Sequence, residues 1–131
     1  MVNKTKHLEL IQGVINRLAN SSFLLKGWTV ILVAALFALA AKDATDAFVY
    51  LAYFPAFAFW ALDGYFLRQE RLYRALYDKV REKNDSDIDF SMDTSPVANQ
   101  VDQWYRVAVS KTLLPFHGTI VFTIFIVMLA V

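Results

Sequence analysis

Residues 27–41, GWTVILVAALFALAA, carry no charged side chain and decide what kind of fold this chain can adopt. Together with residues 23–26 they supply roughly the 20 residues that a helix needs to cross a hydrocarbon core about 30 Å thick. The basic residues before this stretch and the Ala-Leu-Ala at 38–40 also fit a signal peptide, but the long amphipathic segment ahead of it argues against cleavage. The sequence therefore predicts a membrane-spanning helix at residues 23–41.

Two further apolar stretches follow the first. Residues 47–62, AFVYLAYFPAFAFWAL, are uncharged, and the stretch continues to residue 66 once Asp63 is passed. Residues 112–131, TLLPFHGTIVFTIFIVMLAV, contain a single ionisable side chain, that of His117. Buried helices of soluble proteins are also apolar all round, but three such segments in 131 residues leave too little other sequence to bury them. We therefore expect an all-α, polytopic membrane protein with three transmembrane helices, at 23–41, 47–66 and 112–131.

The composition narrows the possible functions. Hydrophobic residues make up 57% of the chain and aromatic residues 15%, which is more than a soluble domain of this size usually carries. A formal net charge of +1 provides no field for a polyanion, so we expect no nucleic-acid partner. The lack of cysteine excludes disulfides and thiolate metal sites, and two histidines and four glycines provide neither a metal cluster nor a phosphate loop. We therefore expect no enzyme, no cofactor and no metal.

The distribution of basic residues predicts the orientation of the chain. Four of them lie at or before residue 26, eight lie between the second and third apolar stretches, and one, Lys42, lies in the short connection at 42–46. The positive-inside rule assigns the more basic segments to the cytoplasm. The N-terminus and residues 67–111 are then cytoplasmic, the C-terminus lies outside, and the location is the inner membrane of a bacterium.

Amphipathic sequence fills the segments outside the spans. In residues 1–22, apolar side chains recur at helical spacing: Leu8, Ile11, Ile15 and Leu18. No glycine or proline occurs between Tyr65 and Asn84, which predicts that the second span continues as one long helix, and a further helix is expected to begin near Pro96. These helices are expected to pack as a cytoplasmic bundle; alternatively, each lies flat on lipid headgroups.

An acidic loop is expected at residues 84–99, NDSDIDFSMDTSPVAN. Its apolar residues at 88, 90 and 92 alternate with polar ones, which predicts one extended stretch docked on the helices. Three aspartates follow the opening pattern of a calcium-binding loop: Asp85, Asp87 and Asp89. Phe90 stands where that loop needs glycine and Pro96 where it needs glutamate, so we do not expect calcium to bind.

Two charged side chains lie at matching depths in the predicted hairpin. Counted outward from Ala44, Lys26 lies eighteen residues back and Asp63 nineteen forward, so their Cα atoms should be level within about one 1.5 Å helical step. An opposite charge at equal depth removes much of the cost of a charge in lipid. Two interpretations stay open: Lys26 pairs with Asp63, or Lys26 reaches water while Asp63 simply ends the span. Trp28 and Trp60, sixteen residues on either side of Ala44, fit an aromatic belt.

The third span carries further polar side chains. Four residues fall along one helical stripe: Thr112, Pro115, Thr119 and Thr123. The stripe makes the three threonines candidates for lining a pore, although threonines in membrane helices more often bond to their own backbone or to a neighbouring helix. His117 lies on another face. It is a candidate intramembrane gating residue, together with Lys26 and Asp63, or it bonds a neighbouring helix.

Small residues and arginines indicate contacts with other molecules. Two pairs of alanines four residues apart allow helices to approach closely: Ala34 with Ala38, and Ala52 with Ala56. Three helices enclose no useful channel, so a pore requires several copies, and we expect a homo-oligomer in membrane lipid. Four arginines after the second span form a candidate face for a cytoplasmic protein partner: Arg68, Arg71, Arg74 and Arg81.

Two stretches of the sequence resemble known proteins. NSSFLLKGW at residues 20–28 and FWALDGYFLRQERLYRALYDKVR at residues 59–81 resemble a widespread set of uncharacterised small multi-span membrane proteins of bacteria. In layout the chain is also similar to the SLATT-type membrane effectors of bacterial conflict systems, from which it differs by its third span. It is similar in outline to the multimeric pore-forming accessory proteins of RNA-targeting CRISPR systems.

These resemblances imply a function that residue patterns alone do not provide. They imply a homo-oligomeric inner-membrane protein that forms a pore or perturbs the membrane in antiviral defence, gated through its cytoplasmic helices. The alternative is a membrane-anchored interaction or scaffold module, whose spans tether cytoplasmic helices to a partner. The two hypotheses differ in whether polar side chains face water inside an assembly.

Overall fold

The computed structural model describes residues 2–131, which form helices, turns and loops without a β-strand. The five α-helices are α1 (Val2–Asp43), α2 (Ala47–Leu51), α3 (Tyr53–Arg81), α4 (Trp104–Ala108) and α5 (Leu114–Ala130). Two short 3-10 helices lie between α3 and α4, at Asp85–Asp87 and Ser95–Gln100. The prediction of an all-α fold is confirmed.

Helix α1 runs without a break for 42 residues, or about 63 Å at 1.5 Å per residue. The amphipathic segment at 1–22 and the apolar segment at 23–41 are therefore parts of one helix. No proline interrupts it, and an isolated glycine such as Gly13 or Gly27 costs only about 1 kcal/mol in a helix. The helix ends at Asp43. The next residue, Ala44, has a left-handed φ of 51°, and the Thr45 N–H bonds back to the Ala40 carbonyl at 3.3 Å.

The second apolar segment is interrupted near its start and then continues far beyond its apolar part. Pro55 has no N–H, and its ring clashes with a regularly placed carbonyl four residues earlier, at Leu51, which is where α2 ends. Helix α3 then continues to Arg81, as the lack of glycine and proline after Tyr65 predicted. Its C-terminal half therefore extends well past the apolar sequence.

The approach to α5 differs from the sequence prediction. The helix expected to begin near Pro96 is instead a 3-10 helix, an extended Val101 (φ −120°, ψ 137°) and the five-residue α4. The extended residue breaks the helix. After it, α4 places Val107 in a buried contact with Leu67 and Leu113.

Two helices, not the three expected, are long and apolar enough to cross a membrane: α1, and α2 with α3 taken together as Ala47–Arg81. Helix α5 is equally apolar but has 17 residues, about 26 Å. It is shorter than predicted because residues 109–113 form turns and the helix begins only at Leu114, with Pro115 in its first turn.

Two apolar clusters hold the long helices together at opposite ends. The hairpin cluster joins α1, α2, α3 and α5: Val33, Val49, Ala52, Ala56 and Ile124. Of the predicted small-residue pairs, Ala52 and Ala56 are buried here, whereas Ala34 and Ala38 are exposed. The arm cluster joins the first half of α1 to the second half of α3: Ile11, Ile15, Leu76, Val80 and Val97. The arm cluster thus contains two α-helices and the second 3-10 helix, not three amphipathic helices.

The loop at residues 84–94 docks on the N-terminal turns of α1. The Lys4 N–H donates to Asp85 at 2.9 Å, which places a carboxylate at a helix start whose own first turn has no acidic residue. His7 is fully buried, and its Nε2 lies 2.9 Å from the Ser91 carbonyl. The ring of Phe90, a residue with φ of 55°, lies 5.6 Å from the His7 ring. The predicted docked stretch is present, with Ile88 and Met92 against the arm cluster.

Hydrogen bonds within the loop define its shape. Asp89 accepts the Ser91 N–H at 3.0 Å, and Asp93 accepts both the N–H and the hydroxyl of Ser95. The bond from the Ser95 backbone N–H, followed by that from its hydroxyl, lowers the pKa of Asp93 below its ordinary value. Within residues 2–131, no group of three or more His, Cys, Asp and Glu side chains is placed to hold a metal.

The arm cluster generates the first testable prediction. Ile11→Ala removes a fully buried side chain and should lower the free energy of unfolding by about 2–5 kcal/mol. Leu10→Ala, at a neighbouring position that is 44% exposed, is the matched control and should change it little. The measurement is the melting temperature of each purified variant in one detergent. Equal losses for both variants would show that α1 does not pack on α3 in this way.

Candidate functional site

A buried carboxylate stands at the point where three helices meet. Asp63, on α3, is fully buried. From α1, the Ser22 hydroxyl donates to Asp63 Oδ1, and Lys26 Nζ lies 2.6 Å from Oδ2. From α5, His117 Nε2 lies 2.7 Å from the same Oδ2. These four residues, Ser22, Lys26, Asp63 and His117, are called the Asp63 cluster below.

The α1 side of the cluster depends on helical spacing. Ser22 and Lys26 are four residues apart and therefore share one face of α1. Lys26 Nζ donates to Ser22 Oγ at 2.8 Å, so the hydroxyl accepts from the lysine and donates to the aspartate. The Lys26 side chain is 24% exposed, so its stem approaches the surface while its ammonium group points inward. Of the two interpretations left open for Lys26, the structure shows the ion pair with Asp63.

The α5 side of the cluster is enclosed by aromatic rings. His117 is 1% exposed, and the Trp60 ring stacks on it with centroids 5.7 Å apart and an interplanar angle of 7°. Because an ionised Asp63 only accepts hydrogen bonds, we assign the imidazole proton to Nε2. His117 Nδ1 is buried without a partner among residues 2–131.

Helix α4 is held against α3 by two tryptophans that bond in opposite directions. Trp60 Nε1, on α3, donates to the Ala108 carbonyl at 2.7 Å. Trp104 Nε1, on α4, donates to the Ala61 carbonyl at 2.9 Å. Gly64 makes this approach possible, since a Cβ there would lie 3.1 Å from Ala108 Cβ and 3.2 Å from Trp104 Nε1. The glycine follows Asp63 directly, so the close approach and the buried carboxylate share one turn of α3.

The predicted threonine stripe is only partly formed. Thr112 precedes α5, and its hydroxyl accepts a long hydrogen bond of 3.4 Å from Arg71. Thr119 and Thr123 are exposed on α5, where each hydroxyl donates to the carbonyl four residues earlier. His117 and Ile124 lie on the opposite, buried side of this helix. Lining a pore stays a prediction for Thr119 and Thr123, and the stripe does not extend to Thr112.

The four candidate partner-face arginines divide into two pairs. Arg68 Nε donates to the Asp102 carbonyl at 3.1 Å, and with Arg71 it fastens the segment before α5 to α3. Among residues 2–131, Arg74 and Arg81 find their partners within α3: Arg74 Nε donates to Glu70 at 3.2 Å, Arg81 forms an ion pair with Asp78 at 3.7 Å, and both arginines remain mostly exposed. Arg71 and Arg74 also border an open cleft of about 360 Å³ with residues 100–102.

The arrangement of the cluster favours holding helices over chemistry on a substrate. A hydroxyl, an imidazole and a carboxylate also occur in hydrolase triads, where the imidazole takes the proton of the hydroxyl. Here Ser22 and His117 each bond to Asp63, so the imidazole is not placed to activate the hydroxyl. The cluster instead joins α1, α3 and α5 through a single carboxylate.

Sequence reasoning identified some members of the site and missed others. Lys26, Asp63 and His117 were each selected as intramembrane polar residues, and the structure brings all three together. Ser22 was missed, although its position four residues before Lys26 places it on the same helix face. Gly64 was missed as well, although it is the lone glycine of α3 and follows the buried aspartate.

Loss of the Asp63 charge is expected to destabilise the fold. Asp63→Asn leaves the mostly buried Lys26 ammonium without a counter-charge, which should cost about 3–5 kcal/mol. The double variant Lys26→Met with Asp63→Asn should recover part of that loss, because no unpaired charge remains. Asp78→Asn, at an exposed site, is the control and should have little effect. Melting temperatures in one detergent measure all three, and a double variant no more stable than Asp63→Asn would contradict the pairing.

Two glycine substitutions should change stability in opposite directions. Gly64→Ala forces a methyl group against Ala108 and Trp104, and such overpacking costs about 1–3 kcal/mol despite the better helix propensity of alanine. At Gly27 a Cβ would meet no atom within 4 Å, so Gly27→Ala should stabilise α1 by up to about 1 kcal/mol. Thermal unfolding in detergent tests the pair, and a stabilising Gly64→Ala would show that α4 does not lie this close to α3.

No family model, curated protein or solved structure matches the chain. The resemblances to the SLATT-type effectors and to the CRISPR accessory proteins therefore stay predictions. The function has to be inferred from the buried polar cluster, from the exposed apolar faces of the long helices and from the charged surface of α3.

Proposed function

We propose that the chain is an integral membrane protein with three spans, formed by the second half of α1, by α2 with the first half of α3, and by α5. The observation that carries this proposal is exposure. Only 11% of the most apolar 18-residue window of α1 is buried within the chain, and 28% of that of α2 and α3. A core helix of a water-soluble protein would be mostly covered, so lipid is the solvent that suits these faces.

Helix α5 is assigned to the membrane with the other two spans because it packs against them and exposes apolar side chains on its other side. Ile124 packs in the hairpin cluster with Val49 and Ala56 of the second span. On its other side, Phe122 is 63% exposed and Leu129 is 65% exposed. Its length of about 26 Å is a few ångströms short of the average hydrocarbon core, a mismatch that a bilayer accommodates by local thinning.

The positions of the charges support an orientation with the first half of α1 and residues 67–111 in the cytoplasm of a bacterium. The arginines of α3 begin at Arg68, one turn after the Asp63 cluster. The cluster then lies near the inner end of the spans. There, pairing of Lys26 with Asp63 offsets the cost of placing two charges at the edge of the lipid.

Several copies of the chain are proposed to assemble in the inner membrane and to form a pore or perturb the bilayer. The exposed Ala34 and Ala38 offer a surface for close approach of a second helix. Thr119 and Thr123 give α5 one exposed polar strip, which an assembly can turn toward water. The role in antiviral defence, and gating through the cytoplasmic part, rest on the resemblances in layout.

A second candidate function is a membrane-anchored interaction or scaffold module. The exposed Arg74 and Arg81, and the cleft between α3 and residues 100–102, favour it, because they offer a charged face to a cytoplasmic protein. In this alternative the spans only tether the first half of α1 and the second half of α3, and no polar strip faces water.

Leakage of sealed liposomes distinguishes the two functions. Purified protein in liposomes loaded with a self-quenched dye should release it, and the variant with Thr119→Val and Thr123→Val should release it severalfold more slowly. Thr5→Val, an exposed threonine at the start of α1, is the matched control and should leak like the parent protein. A monomeric mass in detergent together with tight liposomes would contradict the pore and leave the anchor.

A further inference from the structure

Residues 104–111, which comprise α4 and the turn after it, present apolar and basic side chains together on their outer side. Tyr105 is 60% exposed and Val109 is 57% exposed. Arg106 and Lys111 are exposed as well, and among residues 2–131 neither side chain has an ion-pair partner. Apolar side chains mixed with unpaired basic ones are typical of protein surfaces that contact a lipid interface. This stretch is called the α4 segment below.

The contacts of the α4 segment place it at one level of α3. Trp104 Nε1 donates to the Ala61 carbonyl at 2.9 Å, and Trp60 Nε1 donates to the Ala108 carbonyl at 2.7 Å. The α4 segment therefore lies beside the last two turns of α3 before its arginines begin at position 68. In the proposed membrane location, this is the level at which the second span leaves the lipid.

All three tryptophans of the chain lie at this level. Trp60 and Trp104 are held there by their bonds between α3 and α4. Trp28 lies two residues, or about 3 Å along α1, from Lys26, which the ion pair places beside Asp63. Trp28 is 56% exposed and Trp104 is 45% exposed. Because tryptophan is enriched at membrane interfaces, these side chains indicate that the α4 segment lies at the edge of the bilayer.

Basic groups outnumber acidic ones around the α4 segment. Four basic side chains lie on it or bond to the residues that flank it: Arg68, Arg71, Arg106 and Lys111. The flanking Asp102 is exposed, and residues 103–131 contain no Asp or Glu. Asp63 lies at a similar level but is buried and paired with Lys26. The excess of positive charge is complementary to anionic lipid headgroups.

We propose that the α4 segment lies in the headgroup layer of the inner leaflet, where Tyr105 and Val109 reach the acyl chains and Arg106 and Lys111 bind the phosphates of anionic lipids. The inference rests on the proposed membrane location. Lipid is favoured over a protein partner because the segment continues the exposed apolar faces of the spans at the level of the tryptophans. Since α5 begins at Leu114, three residues after Lys111, headgroup binding also fixes where the third span starts.

Quenching by spin-labelled lipids tests the depth of the α4 segment. Tyr105→Cys and Phe122→Cys each give the chain a single thiol for a fluorescent label, since it has no cysteine of its own. Phe122 is 63% exposed near the middle of α5 and serves as the matched control. In vesicles of phosphatidylcholine and phosphatidylglycerol, a nitroxide on the headgroup should quench the label at 105 most. A nitroxide deep in the acyl chain should quench the label at 122 most.

The two labels distinguish failure of this inference from failure of the proposed location. If position 122 is quenched as expected but position 105 is not quenched, or is quenched most by the deep nitroxide, the headgroup position is overturned and the membrane location stands. A protein partner or a second copy would then cover position 105. If neither label is quenched, the membrane location is overturned, and the headgroup position with it.

Lipid-dependent stability tests the charges. Replacing phosphatidylcholine by phosphatidylglycerol in mixed micelles should raise the melting temperature of the parent protein by several degrees, because a ligand of the folded state stabilises it. In Arg106→Gln with Lys111→Gln, this increase should fall by about half, since two of the four basic side chains at this level are removed. An undiminished increase would overturn the binding of anionic headgroups by these residues.

A second double variant is the matched control for charge. Lys79→Gln with Arg81→Gln also removes two exposed basic side chains, but these lie about 16–20 Å further along α3 than Arg68. That distance exceeds the Debye length of about 8 Å at physiological salt, so the increase with phosphatidylglycerol should be retained. An equal loss in this control would show a general effect of net charge and overturn the specific role of the α4 segment.

Discussion

The contacts of one carboxylate determine how the three apolar helices are arranged. In lipid, apolar side chains gain little by touching one another, because the lipid tails are as apolar as the helices. In the proposed membrane location, the bonds of Asp63 to Ser22 and Lys26 on α1, and to His117 on α5, are therefore the contacts that set the register of the helices. Small residues then let the backbones close around this point, with Gly64 beside α4 and Ala52 and Ala56 in the hairpin cluster.

Beyond the Asp63 cluster, a different force holds the same two long helices. The arm cluster buries Ile11 and Ile15 against Leu76 and Val80, and in water such burial is favourable by itself. The 3-10 helix Ser95–Gln100 adds Val97, and the docked loop before it bonds the first turns of α1. The same two helices are thus stabilised by polar contacts at one level and by apolar contacts at another. This division fits the proposed arrangement, in which the solvent changes from lipid to water along the helices.

Features that depend on the spacing of residues along the chain could be predicted from the sequence. Contacts between residues that are distant in the chain could not. Counting outward from the tight connection placed Lys26 and Asp63 at the same depth and made their ion pair one of two open interpretations. The length of α3 followed from its lack of glycine and proline. Nothing in the local pattern indicated that His117, 54 residues after Asp63, would bond to it. The short α4 was missed because apolar periodicity does not reveal that Val101 is extended, and α5 was predicted too long because the turns before it contain apolar residues.

The direct test of lipid as the solvent is the accessibility of single cysteines, since the chain has none of its own. Thr45→Cys, in the connection between α1 and α2, and Ser86→Cys, in the acidic loop, are each exposed to an impermeant maleimide in intact bacterial cells with a permeabilised outer membrane. We expect labelling at position 45 in the intact cells, and at position 86 only after the inner membrane is broken. Equal labelling of both positions, or recovery of the protein in the soluble fraction, would contradict a membrane-spanning hairpin.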